Sequence, residues 1–127
     1  MNTYIIDSSF MIALIVSDDS NHHKVLEFFA RVGDSEHRFI MSDLIYSETL
    51  TVLRNKKIID SYNLLSKLIS QCNILIISSH NRDYIEFSEH LPSYLSICDC
   101  SVIYDAQQYN AVPLSFDEKL MKHYLQS

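Results

Sequence analysis

Apolar residues come along this chain in short unbroken runs that alternate with longer stretches of helical spacing, and that alternation predicts its elements. Asn2 to Ile6 reads as a continuous apolar strand ending on Asp7-Ser8-Ser9, after which Phe10, Met11, Leu14 and Ile15 recur on one helix face. Ser8 or Ser9 is expected to cap that helix. A second helix, beginning near Asp19 or Ser20, turns Val25, Leu26, Phe28, Phe29 and Val32 inward and stops at Gly33, leaving Asp34 to Arg38 as a polar loop. Phe39 to Met41 is a second strand, and Ser42 or Asp43 caps a helix from Leu44 to Arg54. After a break at Asn55-Lys56-Lys57, Ile58 to Gln71 is amphipathic through Ile59, Tyr62, Leu65, Leu68 and Ile69, and Ile74 to Ile77 is a third strand. His80 to His90 reads as a surface helix ended before Pro92. Ser93 caps a further helix that runs to about Gln108, and Asn110 stands at its exit where glycine is usual. Ala111 to Phe116 is a last short strand, followed by one more helix.

Short apolar strands alternating with helices imply an α/β fold with a parallel sheet covered on both faces. At 127 residues and 47% hydrophobic content, residues 1–127 are expected to form a single domain burying roughly 65% of its unfolded surface. One glycine and two prolines leave little material for linkers or disordered tails.

Four acids stand out against this pattern. Asp7 closes the first strand and Asp117 follows the last. Glu48 has Leu44, Ile45, Thr51 and Val52 as helical neighbours, and Asp99 has Leu95, Ser96, Val102 and Ile103, so both lie on or beside an apolar stripe. In an open parallel sheet, ligands bind beyond the carboxyl ends of the strands, where Asp7 and Asp117 lie and which Glu48 can reach. Two like charges about 4 Å apart cost about 4 kcal/mol at an effective dielectric near 20. Four ionised carboxylates in one cleft therefore need a positive partner. A hard cation such as Mg²⁺ or Mn²⁺, which prefers oxygen ligands, fits better than the few nearby lysines, Lys119 and Lys122. Such an ion steadies phosphate oxygens and activates a bound water, which is the chemistry of phosphodiester hydrolysis. Taken singly, Asp7, Asp43 and Asp117 also read as helix or turn caps, and Glu48 and Asp99 as acids at a stripe edge.

The formal net charge is −6, from ten Lys and Arg against sixteen Asp and Glu. No general basic field marks a nucleic-acid binder, although a bound cation would reverse the local sign. Three cysteines, Cys72, Cys98 and Cys100, together with an opening that carries no secretory pattern, point to a reducing cytoplasm. No apolar run reaches the roughly twenty residues of a membrane span.

Four stretches, read together, resemble the PIN domain, and within it the VapC-like ribonuclease toxins of toxin–antitoxin pairs. They are YIIDSSF with Asp7, Ser8 and Ser9; SDLIYSETLTVL with Glu48; LSICDCSVIYDAQQYN with Asp99; and VPLSFDEKL with Ser115 and Asp117. The resemblance spans nearly the whole chain. It implies a three-layer α/β/α fold with a central parallel sheet of four to five short strands. It also implies Mg²⁺- or Mn²⁺-dependent cleavage of an RNA substrate leaving a 5′-phosphate, homodimerisation, and a cognate antitoxin protein as inhibitor. Asp7, Glu48 and Asp99 would then be the main metal ligands or water-orienting groups, Asp117 the more variable fourth acid, and Ser8, Ser9 and Ser115 supporting hydroxyls. Asn110 departs from the usual glycine, and the chain ends too soon for the final edge strand that many members carry.

Other features weigh less. Asp105 is read mainly as a solvated acid and secondarily as an extra acid near the cleft. Cys98 and Cys100 fall on different helix faces, which makes a zinc pair improbable and packing the better reading. His22-His23 and His80 read as surface residues, and Arg54, Lys56 and Lys57 as a charged helix exit that could touch RNA phosphates. Two other function classes compete with a nuclease. A non-catalytic PIN-like domain would bind RNA or protein without cutting. Aspartyl phosphotransfer is disfavoured, because Asp7-Ser8-Ser9 lacks the second acid of a phosphatase and Ser115-Phe116-Asp117 the lysine of a receiver.

Overall fold

The computed structural model describes residues 1–126, so the last residue of the expected single domain lies outside them. Four strands form one parallel sheet in the order β3-β2-β1-β4: β1 (Asn2–Ile6), β2 (His37–Ser42), β3 (Ile74–Ile77) and β4 (Val112–Leu114). Ile5 sits opposite Ile40 on one side and Pro113 on the other. Seven helices connect and flank the strands: α1 (Ser8–Ile15), α2 (His22–Val32), α3 (Asp43–Asn55), α4 (Ser61–Gln71), α5 (Asn81–Ser88), α6 (Ile97–Gln108) and α7 (Glu118–Gln126).

The chain steps from β1 to β2 to β3 in one direction, then returns across the sheet to place β4 on the far side of β1. Right-handed crossovers put α1 to α4 on one face and α5 and α6 on the other. The contacts agree, with α1 packing on α2 and α3, and α6 on α5, β1 and β4. The reversal between β1 and β4 marks their carboxyl ends as the crevice where such sheets usually bind a ligand.

Tyr4 and Phe39 of the sheet meet Phe28, and Phe10 meets Phe28 edge-on, so aromatic rings join α1, α2 and the strands. Phe116 stacks on Phe10 at 5.9 Å and ties the segment after β4 to the same layer. On β4 the Asp7 N–H donates to the Leu114 carbonyl at 3.0 Å, so Val112 and Leu114 are the residues that bond toward β1. Pro113, which has no N–H, therefore turns its nitrogen to the open edge, where proline is tolerated.

Several expectations shift. Neither Ser8 nor Ser9 caps α1, whose N-cap is Asp7 without a side-chain cap bond. Leu26 is half exposed on the outer face of α2, and Ile59 and Tyr62 are exposed because α4 begins only at Ser61, after a left-handed turn at Asp60. β2 extends back to His37, shortening the expected loop. Ser96, not Ser93, caps α6, and the helix His80–His90 contracts to Asn81–Ser88 around a fully buried Tyr84. Gly33 and Asn110 both adopt positive φ at their helix exits, as their positions require. No described helix is long and apolar enough to cross a membrane.

Candidate functional site

Asp7 is the most buried of the four acids, 4% exposed, because it continues β1 directly into the crevice beside β4. The Ser9 and Ser115 hydroxyls both donate to its Oδ2, at 2.9 and 2.7 Å. Ser9 Oγ in turn accepts the Phe116 N–H at 2.9 Å, and Ser115 Oγ accepts the Asp117 N–H at 3.0 Å. Residues more than a hundred positions apart are thus locked around one carboxylate. Burial pushes the Asp7 carboxyl above its ordinary pKa and the charge of Glu48 pushes it further, against the two hydroxyls.

Glu48 projects from the middle of α3 and accepts from the Ser8 hydroxyl. The serines expected to cap α1 are instead spent on acids, Ser8 on Glu48 and Ser9 on Asp7. Asp99 lies in the first turn of α6 and closes a capping box: the Ser96 N–H donates to Asp99 Oδ2 at 3.0 Å, and the Asp99 N–H to Ser96 Oγ at 3.1 Å. Burial raises the Asp99 pKa, and the charges of Asp117 and Glu48 add to that rise. Asp117 precedes α7, where its Oδ1 accepts the Leu120 N–H at 3.0 Å as a helix cap would.

The four acids are therefore linked pairwise by repulsion: Asp7 with Glu48, Glu48 with Asp99, and Asp99 with Asp117. Cys98, which the sequence reading left as packing, stands among them. Its thiol is pushed up to about 12, by burial first, then by contact with Glu48 and the charges of Glu48, Asp7 and Asp99. It is a neutral hydrogen-bonding group there, not a nucleophile. Ser96 was also missed, although Ser-x-x-Asp at residues 96–99 is the capping-box pattern.

Among the described residues, no arginine or lysine is ion-paired with these acids. The one ion pair among the described residues is Arg82 with Glu86, exposed on α5. Lys119 instead lies 6.0 Å over the Tyr94 ring. An all-oxygen donor set without an internal cation suits a hard divalent ion by its chemistry. As the side chains stand, however, each acid has its own hydrogen-bond donor. Among the described residues, no group of three or more His, Cys, Asp or Glu is drawn together closely enough to hold a metal.

Asp105 goes elsewhere. It is 1% exposed, and Tyr84 Oη donates to both of its oxygens at 2.9 and 3.0 Å. It is neither a solvated acid nor a neighbour whose charge moves Asp7 or Asp99, but a buried link between α5 and α6. Asp43 accepts from the Ser79 N–H and hydroxyl and ties the start of α3 to the end of β3.

No curated protein matches the chain in sequence. Among solved structures it is similar to VapC20 of Mycobacterium tuberculosis, a toxin that cleaves the sarcin-ricin loop, with a TM-score of 0.78, 15% identity and 94% of each chain covered. It is also similar to PAE2754 of Pyrobaculum aerophilum, with a TM-score of 0.63, 17% identity, and 94% of this chain and 82% of that one covered. VapBC2 of Rickettsia felis, solved on a DNA fragment from its promoter, gives 0.63 at 19% identity, with 95% and 92% covered. At these identities the likeness is one of fold. The PIN domain family matches residues 4–124, nearly the full length, and the chain belongs to that family.

Proposed function

We propose that this protein is a divalent-metal-dependent endoribonuclease, the toxin of a toxin–antitoxin pair, that cuts RNA phosphodiester bonds at Asp7, Glu48, Asp99 and Asp117. The observation that carries the reading is the uncompensated repulsion running through these acids from four separate segments, with no lysine or arginine among the described residues paired to any of them. Asp7, Glu48 and Asp99 would hold Mg²⁺ or Mn²⁺, with Asp117 acting through water. When bound, the ion would neutralise phosphate charge and lower the pKa of a water. The chain's own part is orientation. Ser9 and Ser115 fix the Asp7 carboxylate, Ser8 fixes Glu48, and the capping box fixes Asp99. Likeness in fold to VapC20, a toxin that cleaves the sarcin-ricin loop, and to VapBC2 supports an RNA substrate and an antitoxin partner. Homodimerisation belongs to the same proposal.

The test is cleavage of RNA with Mg²⁺ or Mn²⁺, followed on gels and by end-group analysis. Products carrying a 5′-phosphate are expected, with loss of at least a hundredfold in Asp7→Asn and Asp99→Asn, about the size of effect of removing one electrostatic catalytic group. Full activity in either folded variant would sink the reading. A second reading, a PIN-like domain that binds RNA or protein without cutting, is favoured by one fact: each acid already has its own donor, and among the described residues no three are placed around one point. Metal-independent RNA binding without products would select it.

A further inference from the structure

Beside the acids, a groove of about 430 Å³ runs between α2 and the segment that follows β4. Its walls carry Lys24 and Arg31, and its floor Phe28, Pro113 and Phe116. A second depression of about 280 Å³, reaching Asp117, shares Lys24, Ser115, Phe116 and Met121 with the first. The two are one channel, leading from Arg31 past Lys24 to the Ser115 and Asp117 end of the candidate site. Lys24 and Arg31 are two helical turns apart, about 10 Å along α2, and both side chains are exposed. Neither has a carboxylate partner among the described residues. Arg31 is held over the Phe28 ring at 5.6 Å, which presents its guanidinium to the channel. Glu27 stands between them on α2 as an opposing charge, and Glu118 joins Asp117 at the far end of the channel.

We infer that this channel is the track on which a single RNA strand is led to the acids, its phosphates held by Lys24 and Arg31 and its bases set against the apolar floor at Phe116. The inference rests on the nuclease reading and adds to it the path of the substrate. In a chain of net charge −6, a polyanion is bound only where cations gather without partners, and here they line a channel that ends at the site. An aromatic and proline floor suits unpaired bases, whose faces a duplex hides. An acidic peptide would find the cations but would have less use for the ring surface.

The experiment is binding of a short fluorescein-labelled single-stranded RNA, read by anisotropy in EDTA across a salt series, with cleavage kinetics in Mg²⁺ alongside. Lys24→Gln with Arg31→Gln is expected to weaken binding about tenfold and to flatten the salt dependence by about 1.4, which is two phosphate contacts on a single strand. In kinetics, KM is expected to rise with kcat little changed. Glu27→Gln, which removes the opposing charge, should tighten binding, and Lys67→Gln on α4 should leave it unchanged. Duplex RNA of the same sequence should compete poorly. Wild-type affinity and slope in the double variant, duplex binding as tight as the single strand, or no measurable RNA binding by the unsubstituted chain would each overturn the track. Failure of the nuclease reading looks different: no metal-dependent products from the unsubstituted protein, whatever the α2 variants do.

Discussion

Two buried aspartates, Asp7 and Asp105, illustrate how differently one residue type is used. Asp7 is surrounded by hydroxyl donors from distant segments and pressed by another acid, whereas Asp105 has the Tyr84 hydroxyl on both oxygens and no acid pressing on it. Burial pushes the Asp105 carboxyl up to about 6, against the Tyr84 hydrogen bond and the nearby His80. A carboxyl whose folded pKa is raised favours the fold when protonated. Its contribution is complete below the unfolded pKa near 3.8 and is lost as pH rises through about 6. The stability of the wild type relative to Asp105→Asn should therefore improve as pH falls from about 7 to about 4, measured by denaturant unfolding at each pH. A difference that stays flat across that window would show that Asp105 is not the titrating group. Periodicity placed Asp105 beside Ser101, Val102, Gln108 and Tyr109, but nothing local could reveal a tyrosine 21 residues upstream reaching both of its oxygens.

Among the elements, α6 shows most clearly how local chemistry sets the site. Its first turn carries Ser96, Cys98 and Asp99, so the bonds that start the helix also orient an acid of the candidate site. Ser96→Ala should cost about 1 kcal/mol by loss of the cap, and it should lower RNA cleavage more than that loss of stability explains, because Asp99 loses its anchor. Ser93→Ala, at the position first expected to cap, should do neither. Chemical denaturation and initial rates on the two variants settle the comparison. The confusion between the two serines was local: both precede the apolar run, and only the spacing to Asp99 distinguishes them. Strand β1 and β3 kept their expected bounds because an uninterrupted apolar run leaves no other choice of period. Ile59 and Tyr62 failed because the αL turn at Asp60 starts α4 late, and such a turn leaves no trace in hydrophobic spacing. The channel along α2 was equally hidden, since its two walls come from residues about ninety positions apart.

At the scale of the whole molecule, the candidate acids come from four separate segments, and two of them, Asp7 and Asp117, follow β1 and β4 beside the strand reversal. On the proposed reading, repulsion among those acids opposes folding until a cation binds. Mn²⁺ at a hundredfold excess over its dissociation constant is accordingly expected to stabilise the fold by about 2.7 kcal/mol, and the effect should shrink sharply in Asp7→Asn. Thermal unfolding with and without Mn²⁺ measures both. A midpoint indifferent to Mn²⁺ would leave the acids as structural caps.

The outward nitrogen of Pro113 has a further bearing on self-association. A newcomer strand zipping onto that rim would meet a three-residue ladder with its central rung missing. That rim is thereby guarded against runaway fibre-like stacking of one copy on the next.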